Sequence, residues 1–349
     1  EFDLGPLTWV KGEIDLALQR AADALVQYRS SGDQTQFKFC RTHVHQVCGA
    51  LSIVGLDGAT LLTESLESLL LLLENGSVEV NAEAVDAASL AMDALRHYLD
   101  DLLAGQPNQP LRLLPAYQAL GAKQGKVVQP AELFYPDLSV RVPKGDEAPS
   151  ITQREYLAEI KLARMRFQRG MLQWLKAPAE VATGLEQMRE AVAAIEAMQL
   201  TSSERTFWWV LNALMEALAD TQLAKQPRVR QICTAVDGQI KRLLEGSKAI
   251  PEKLQREALY YLAYAGGEKS SLVAEVQAAF GLLAMVPRQA TEVTPPQDIA
   301  LRKLHEILGS AEEAWNKFCN GNLGSLQGFV DCARLAGKLT SEIGHTDLK

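Results

Sequence analysis

At 349 residues, with 47% hydrophobic and 6% aromatic side chains, the chain is long enough for two or three domains with substantial cores. Its 43 acidic side chains outnumber 35 basic ones, giving a net charge of −8, and no lysine/arginine stripe is interleaved with aromatics. That balance excludes nucleic acid as an expected partner. Alanine and leucine dominate and β-branched runs are scarce, so the expected fold is all-α, built of tandem antiparallel helical bundles. Five widely spaced cysteines without a Cys-x-x-Cys argue against a disulfide framework or a zinc site, and a reduced, cytoplasmic compartment is expected. The longest apolar run, Leu69 to Leu73, is far too short to span a bilayer, and the first residues lack a basic-then-apolar signal pattern.

Apolar spacing predicts four helices over 7–29, 34–54, 58–73 and 81–103. Short Gly/Asp/Asn breaks separate them, which implies antiparallel neighbours and an up-down four-helix bundle spanning 1–105. Asn81, followed by Glu83, reads as an N-cap with an acidic first turn. In the second helix Phe37, Cys40, Val44, Val47, Leu51 and Val54 recur at three- and four-residue steps. His45 stands next to that stripe, at its border with solvent. Helical side chains lean toward the N-terminus, so residue 49 would normally cover the surface near residue 45. Gly49 uncovers the ring, at a cost of about 1 kcal/mol relative to alanine. A histidine so presented is a candidate phosphoacceptor, with Gln46, Cys48 and Gly49 as the partner surface beside it.

His45-x-x-Cys48-Gly49-Ala50 resembles the His-x-x-Lys-Gly-Ser/Ala signature of histidine phosphotransfer (Hpt) domains. The text from Leu7-Thr8-Trp9-Val10-Lys11-Gly12-Glu13-Ile14-Asp15 through Phe39-Cys40 resembles the N-terminal region of CheA-like hybrid kinases of type IV pilus chemosensory systems. It is also similar to the related, kinase-less FimL proteins. Cys48 departs from the Hpt pattern, which places a lysine there to help hold the phosphoryl charge. The resemblance implies a role in chemotaxis-like two-component signalling that controls twitching motility. It implies response-regulator receiver domains, a histidine kinase catalytic domain and pilus-assembly proteins as partners. No cofactor is expected in this chain, since Mg²⁺ would come with the partner's carboxylates. The FimL-like alternative is a scaffold that docks such partners without chemistry.

Residues 106–150 change character. Pro107, Pro110, Pro115, Pro130, Pro136, Pro143 and Pro149 punctuate β-like pieces at 126–128 and 138–142. The stretch reads as a linker that packs on the domains, because Leu133, Phe134 and Tyr135 are costly to leave in water.

A second bundle is expected over 151–286, with helices at 152–176, 179–199, 202–223, 228–245, 251–265 and 269–284. Thr201-Ser202-Ser203-Glu204 is a helix-start signal. No histidine occurs between His97 and His305, so this bundle cannot carry phosphohistidine; the resemblance makes it a degenerate Hpt-like scaffold. Trp208-Trp209 is either core or an interface anchor, with at least one of the pair expected in the core. Residues 294–349 read as a partial third repeat. There Ala333-Arg334-Leu335-Ala336-Gly337-Lys338-Leu339 overlays the His45 motif with alanine in place of histidine. Only about half of a bundle is present there, and the chain opens without methionine, so a longer natural protein is expected.

Other candidate chemistry is set aside. His43 and His45 point to nearly opposite helix faces and cannot chelate one metal. His97, His305 and His345 are isolated. Gly321-Asn322-Leu323-Gly324-Ser325 with Gly328 lacks the strand and Gly-Lys-Ser/Thr of a phosphate loop. Glu64 and Glu67, three apart on the third helix, fit a solvated face. Nothing resembles an ATP-binding kinase domain.

Overall fold

The computed structural model describes residues 4–142, 152–176, 180–219, 221–266, 271–287, 295–319 and 324–343. Pro143, Pro149, Gly321-Asn322-Leu323 and His345 lie outside these residues. All regular structure among the described residues is helical. None of these helices is long and apolar enough to cross a membrane.

Helices α1 (Gly5–Ser31), α2 (Thr35–Val54), α3 (Asp57–Glu74) and α4 (Ala82–Leu103) start and end within two residues of the apolar-periodic segments. Each packs on its sequence neighbour, and α4 closes back on α1 as an up-down bundle. The six stripe residues of α2 are its six buried residues. Gly32 and Gly55 adopt left-handed conformations that end α1 and α2. Asn81 accepts a hydrogen bond from the Ala84 N–H, as its capping position requires. Lys11 is buried between α1 and α4, with Nζ at 2.6 Å from both Asp15 and Asp100. Burial alone would lower its pKa, but hydrogen bonds to Asp100 and Asp15 outweigh it and hold the ammonium above its ordinary range.

The proline-rich segment departs from expectation. Residues 126–128 and 138–142 form no strand, and Val127 is exposed. The segment instead carries two 3₁₀ turns, Pro110–Leu113 and Pro130–Leu133, and helix α5 (Leu114–Lys123). Pro110, Pro115 and Pro130 sit in the first turns of these elements, where a missing N–H is harmless and the fixed φ is pre-set for helix. Prolines that look like breaks are starts.

Helices α6 (Gln153–Lys176), α7 (Val181–Ala197), α8 (Ser202–Ala217), α9 (Thr221–Lys225), α10 (Pro227–Leu244), α11 (Glu252–Tyr264), α12 (Leu272–Ala279) and α13 (Leu282–Met285) follow. The single helix expected over 269–284 is divided by Gly281, whose φ of +61° is a left-handed conformation. Helix α8 opens with the Thr201/Glu204 capping box and runs through the middle of this bundle, buried almost all round. Trp208 and Trp209 are both core residues. The first meets Phe207 edge-on and the second stacks on Phe280. Neither is an interface anchor, because α8 has no outward face to offer one.

Helices α6 and α7 cross in close contact at paired glycines. A Cβ on Gly170 would lie 2.4 Å from the Gly184 carbonyl oxygen. The proline-rich segment binds the two bundles together. Phe134 packs edge-on against Tyr260 at 5.7 Å, Arg256 lies over the Tyr135 ring at 4.6 Å, and Gln109 donates to the Ala284 carbonyl at 2.7 Å. Residues Glu1–Pro287 form one compact unit and Arg288–Lys349 another. In the second unit α14 (Pro295–Cys319) and α15 (Ser325–Ile343) pack as a hairpin, with Trp315 between Phe318 and Phe329.

Candidate functional site

His45 projects from the middle of α2 with its side chain 74% exposed, and its ring is tied to the neighbouring helix by a hydrogen bond. Its Nδ1 lies 3.1 Å from each carboxylate oxygen of Glu67 on the neighbouring helix α3. A carboxylate can only accept, so Nδ1 carries the proton and donates, and in the neutral ring the lone pair is then on Nε2. The arrangement selects one tautomer and one ring orientation. Glu67 is therefore more than part of a solvated face: it is the positioning residue that sequence reasoning passed over. The residue lies 22 positions from His45, and the antiparallel return of α3 along α2 brings it there.

Arg41, one turn before His45, extends this network. Its Nε donates to Glu74 Oε2 at 2.9 Å, and its guanidinium stands 4.0 Å from Glu67 Oε1. Gln46 is exposed, and its Oε1 lies 3.4 Å from His43 Nδ1. Cys48 is half-buried. Burial, followed by the Glu64 and Glu67 carboxylates, pushes its thiol above the usual range, so it stays neutral. Cys40 is core, with burial pushing its thiol up to about 12. Gly49 is exposed, and a Cβ built on it would meet nothing within 4 Å. Its absence of side chain serves no packing among the described residues. Phe39 and Ile53, the latter 86% exposed, stand on the same outward face of α2 as Gln46 and Gly49. Both are apolar residues off the core stripe, which is the sequence signal that could have found them.

Comparison with known proteins finds relatives of both bundles. Residues 7–105 match the Hpt domain family, and residues 152–293 match the family described as FimL scaffold protein second domain. This is an Hpt-like N-terminus joined to a FimL-type second domain. The scaffold protein FimL of Pseudomonas aeruginosa is 26% identical over 272 residues, covering 75% of this chain and 47% of that protein. The chain thus spans about half the length of the curated relative it matches. No solved structure matches it.

At His45 the first bundle presents an exposed imidazole beside a carboxylate. Arg41 is committed to Glu74, and α3 brings the Glu67 carboxylate to His45 and, with Glu64, to the surroundings of Cys48. Among the described residues no group of three or more His, Cys, Asp or Glu side chains is placed to hold a metal ion.

Proposed function

We propose that the first bundle is a histidine phosphotransfer or phosphotransfer-like signalling module of a type IV pilus chemosensory system, acting in the cytoplasm with His45 as phosphoacceptor. One observation carries the reading: the imidazole is exposed while Glu67 holds Nδ1–H, so Nε2 is the available nucleophile. In the transfer, the Nε2 lone pair attacks phosphorus and the bond to the donor oxygen breaks. That oxygen belongs to a receiver aspartate or to the ADP of a kinase catalytic domain, and it leaves with the electron pair. The ring gains positive charge, which the Glu67 carboxylate faces. Mg²⁺ comes with the partner. The outward face of α2 bearing Phe39, Gln46, Gly49 and Ile53 receives the partner, and Gly49 leaves room for its approach.

A second reading, a scaffold that docks receiver domains or pilus-assembly proteins without chemistry, is favoured by two observations. Cys48 supplies no cation, and the region matching the FimL second domain contains no histidine. The similarity to a protein named as a scaffold supports it as well. Incubation with radiolabelled ATP and the kinase catalytic domain, or with a phosphorylated receiver domain, separates the two. Acid-labile label on the wild type that is lost in His45→Gln supports transfer. Receiver binding with no label on either protein supports the scaffold.

A further inference from the structure

Helix α6 turns Ile160, Ala163, Phe167, Gly170 and Trp174 toward the core. Its opposite face is out of character for a chain of net charge −8. Arg154, Lys161, Arg169 and Lys176 recur at steps of seven, eight and seven residues. At about 100° and 1.5 Å per residue, all four fall within an arc of about 80° along about 33 Å of helix. All four are exposed, and none has an ion-pair partner among the described residues. The arginines of α6 outside that arc behave differently. Arg164 binds Asp237 at 3.0 Å, and Arg166 lies 3.7 Å from Glu190. Among the described residues the cations beside the stripe are paired and those on it are not.

Aliphatic groups fill the spaces between these cations. Leu162, Met165 and Leu172 are each more than half exposed, and Leu162 and Met165 also line a groove of about 680 Å³ between α6 and α7. We propose that this face of α6 docks a helix of a partner protein that carries carboxylates at matching seven- and eight-residue steps, interleaved with aliphatic side chains. Charge complementarity selects the sign of the partner, and the width of the stripe selects its shape. Glu155, Glu159 and Glu190 border the stripe on one side and Asp237 on the other. A lipid surface or a nucleic-acid duplex would press its own negative charge against those carboxylates, whereas a helix about 10 Å wide covers the stripe alone. This surface is neither needed nor implied by phosphotransfer at His45, so the two proposals fail separately.

The test uses the full chain and an end-blocked, fluorescein-labelled helical peptide of 24 residues, with glutamates spaced seven, eight and seven apart among leucines and alanines. A control peptide has the same composition with its glutamates spread around the helix. Fluorescence anisotropy is expected to show the matched peptide binding at least tenfold tighter than the control. Lys161→Glu with Arg169→Glu should abolish that preference, while the off-stripe pair Lys248→Glu with Lys253→Glu should leave it within twofold. Should the charge reversal unfold the bundle by circular dichroism, Lys161→Gln with Arg169→Gln replaces it. Equal binding of both peptides, or an undiminished preference in the stripe variant, overturns the proposal. So does stripe-dependent binding to phosphatidylserine vesicles or duplex DNA that exceeds binding to the matched peptide.

Discussion

Replacing Glu67 with glutamine removes one charge from the His45 site while keeping a side chain of the same length and an oxygen able to accept from Nδ1–H. The carboxylate oxygens lie 3.1 Å from that nitrogen. A unit charge developing on the ring at that distance interacts with the carboxylate by about 1.3 kcal/mol at the dielectric of water, and by about 5 kcal/mol at an effective value near 20. With His45 74% exposed and Glu67 24% exposed, solvent screening places the contribution toward the lower figure. An estimate of about 1–2 kcal/mol corresponds to transfer slowed by about 5- to 30-fold. Rapid-quench, single-turnover transfer from a phosphorylated receiver domain measures it. Thermal unfolding should be nearly unchanged, because both side chains reach solvent. Nitrogen-15 spectra of the imidazole should keep the Nδ1–H tautomer in Glu67→Gln and show a tautomer mixture in Glu67→Ala. A Glu67→Gln rate within twofold of wild type would refute the electrostatic role. An Nδ1 found without its proton in the wild type would refute the geometry as well.

Cys48→Lys is expected to speed transfer to His45, because an ammonium there would adjoin Glu64 and Glu67 and offer positive charge to the phosphoryl oxygens; a rate at or below wild type would show that charge is not limiting. Two glycines should respond to alanine with opposite signs in thermal melts. Gly49→Ala adds helix propensity in open space and should stabilise by about 1 kcal/mol while weakening receiver docking; a lower melting temperature would contradict this. Gly170→Ala places a methyl 2.4 Å from the Gly184 carbonyl oxygen and must force α6 from α7. It should destabilise by about 1–3 kcal/mol, and a melting temperature at or above wild type would show that the crossing can relax. Lys11→Met strips the cation from Asp15 and Asp100 and should cost about 1–3 kcal/mol at neutral pH. Because the folded state raises the Lys11 pKa, its contribution is complete below the unfolded value and fades as pH rises through the folded one. The wild-type advantage over Lys11→Met should therefore shrink as strongly alkaline buffer deprotonates the ammonium.

The six buried positions of α2, the border placement of His45 and the caps at Asn81 and Thr201 were legible in the sequence because each depends on residues within a turn or two. Amphipathic periodicity and capping are local properties, and the chain writes them out directly. The partner of His45 was not legible in that way. Glu67 reads as one more carboxylate on a polar face until the antiparallel return of α3 sets it against the ring. The prolines of 110–130 misled for a related reason: their effect depends on whether they begin or interrupt a helix, and the sequence shows only that they are there. Composition likewise showed every cation of α6, but Asp237 and Glu190 decide which of them are neutralised. Local sequence alone specified the helical character of the described residues, the course of the first four helices and the solvent-border position of His45. Tertiary structure alone decided that Gly49 faces open space while Gly170 faces a backbone, and that a distant glutamate orients the imidazole. Propensity and periodicity act between residues close in the chain, whereas packing room and electrostatic partnership depend on what other helices bring near.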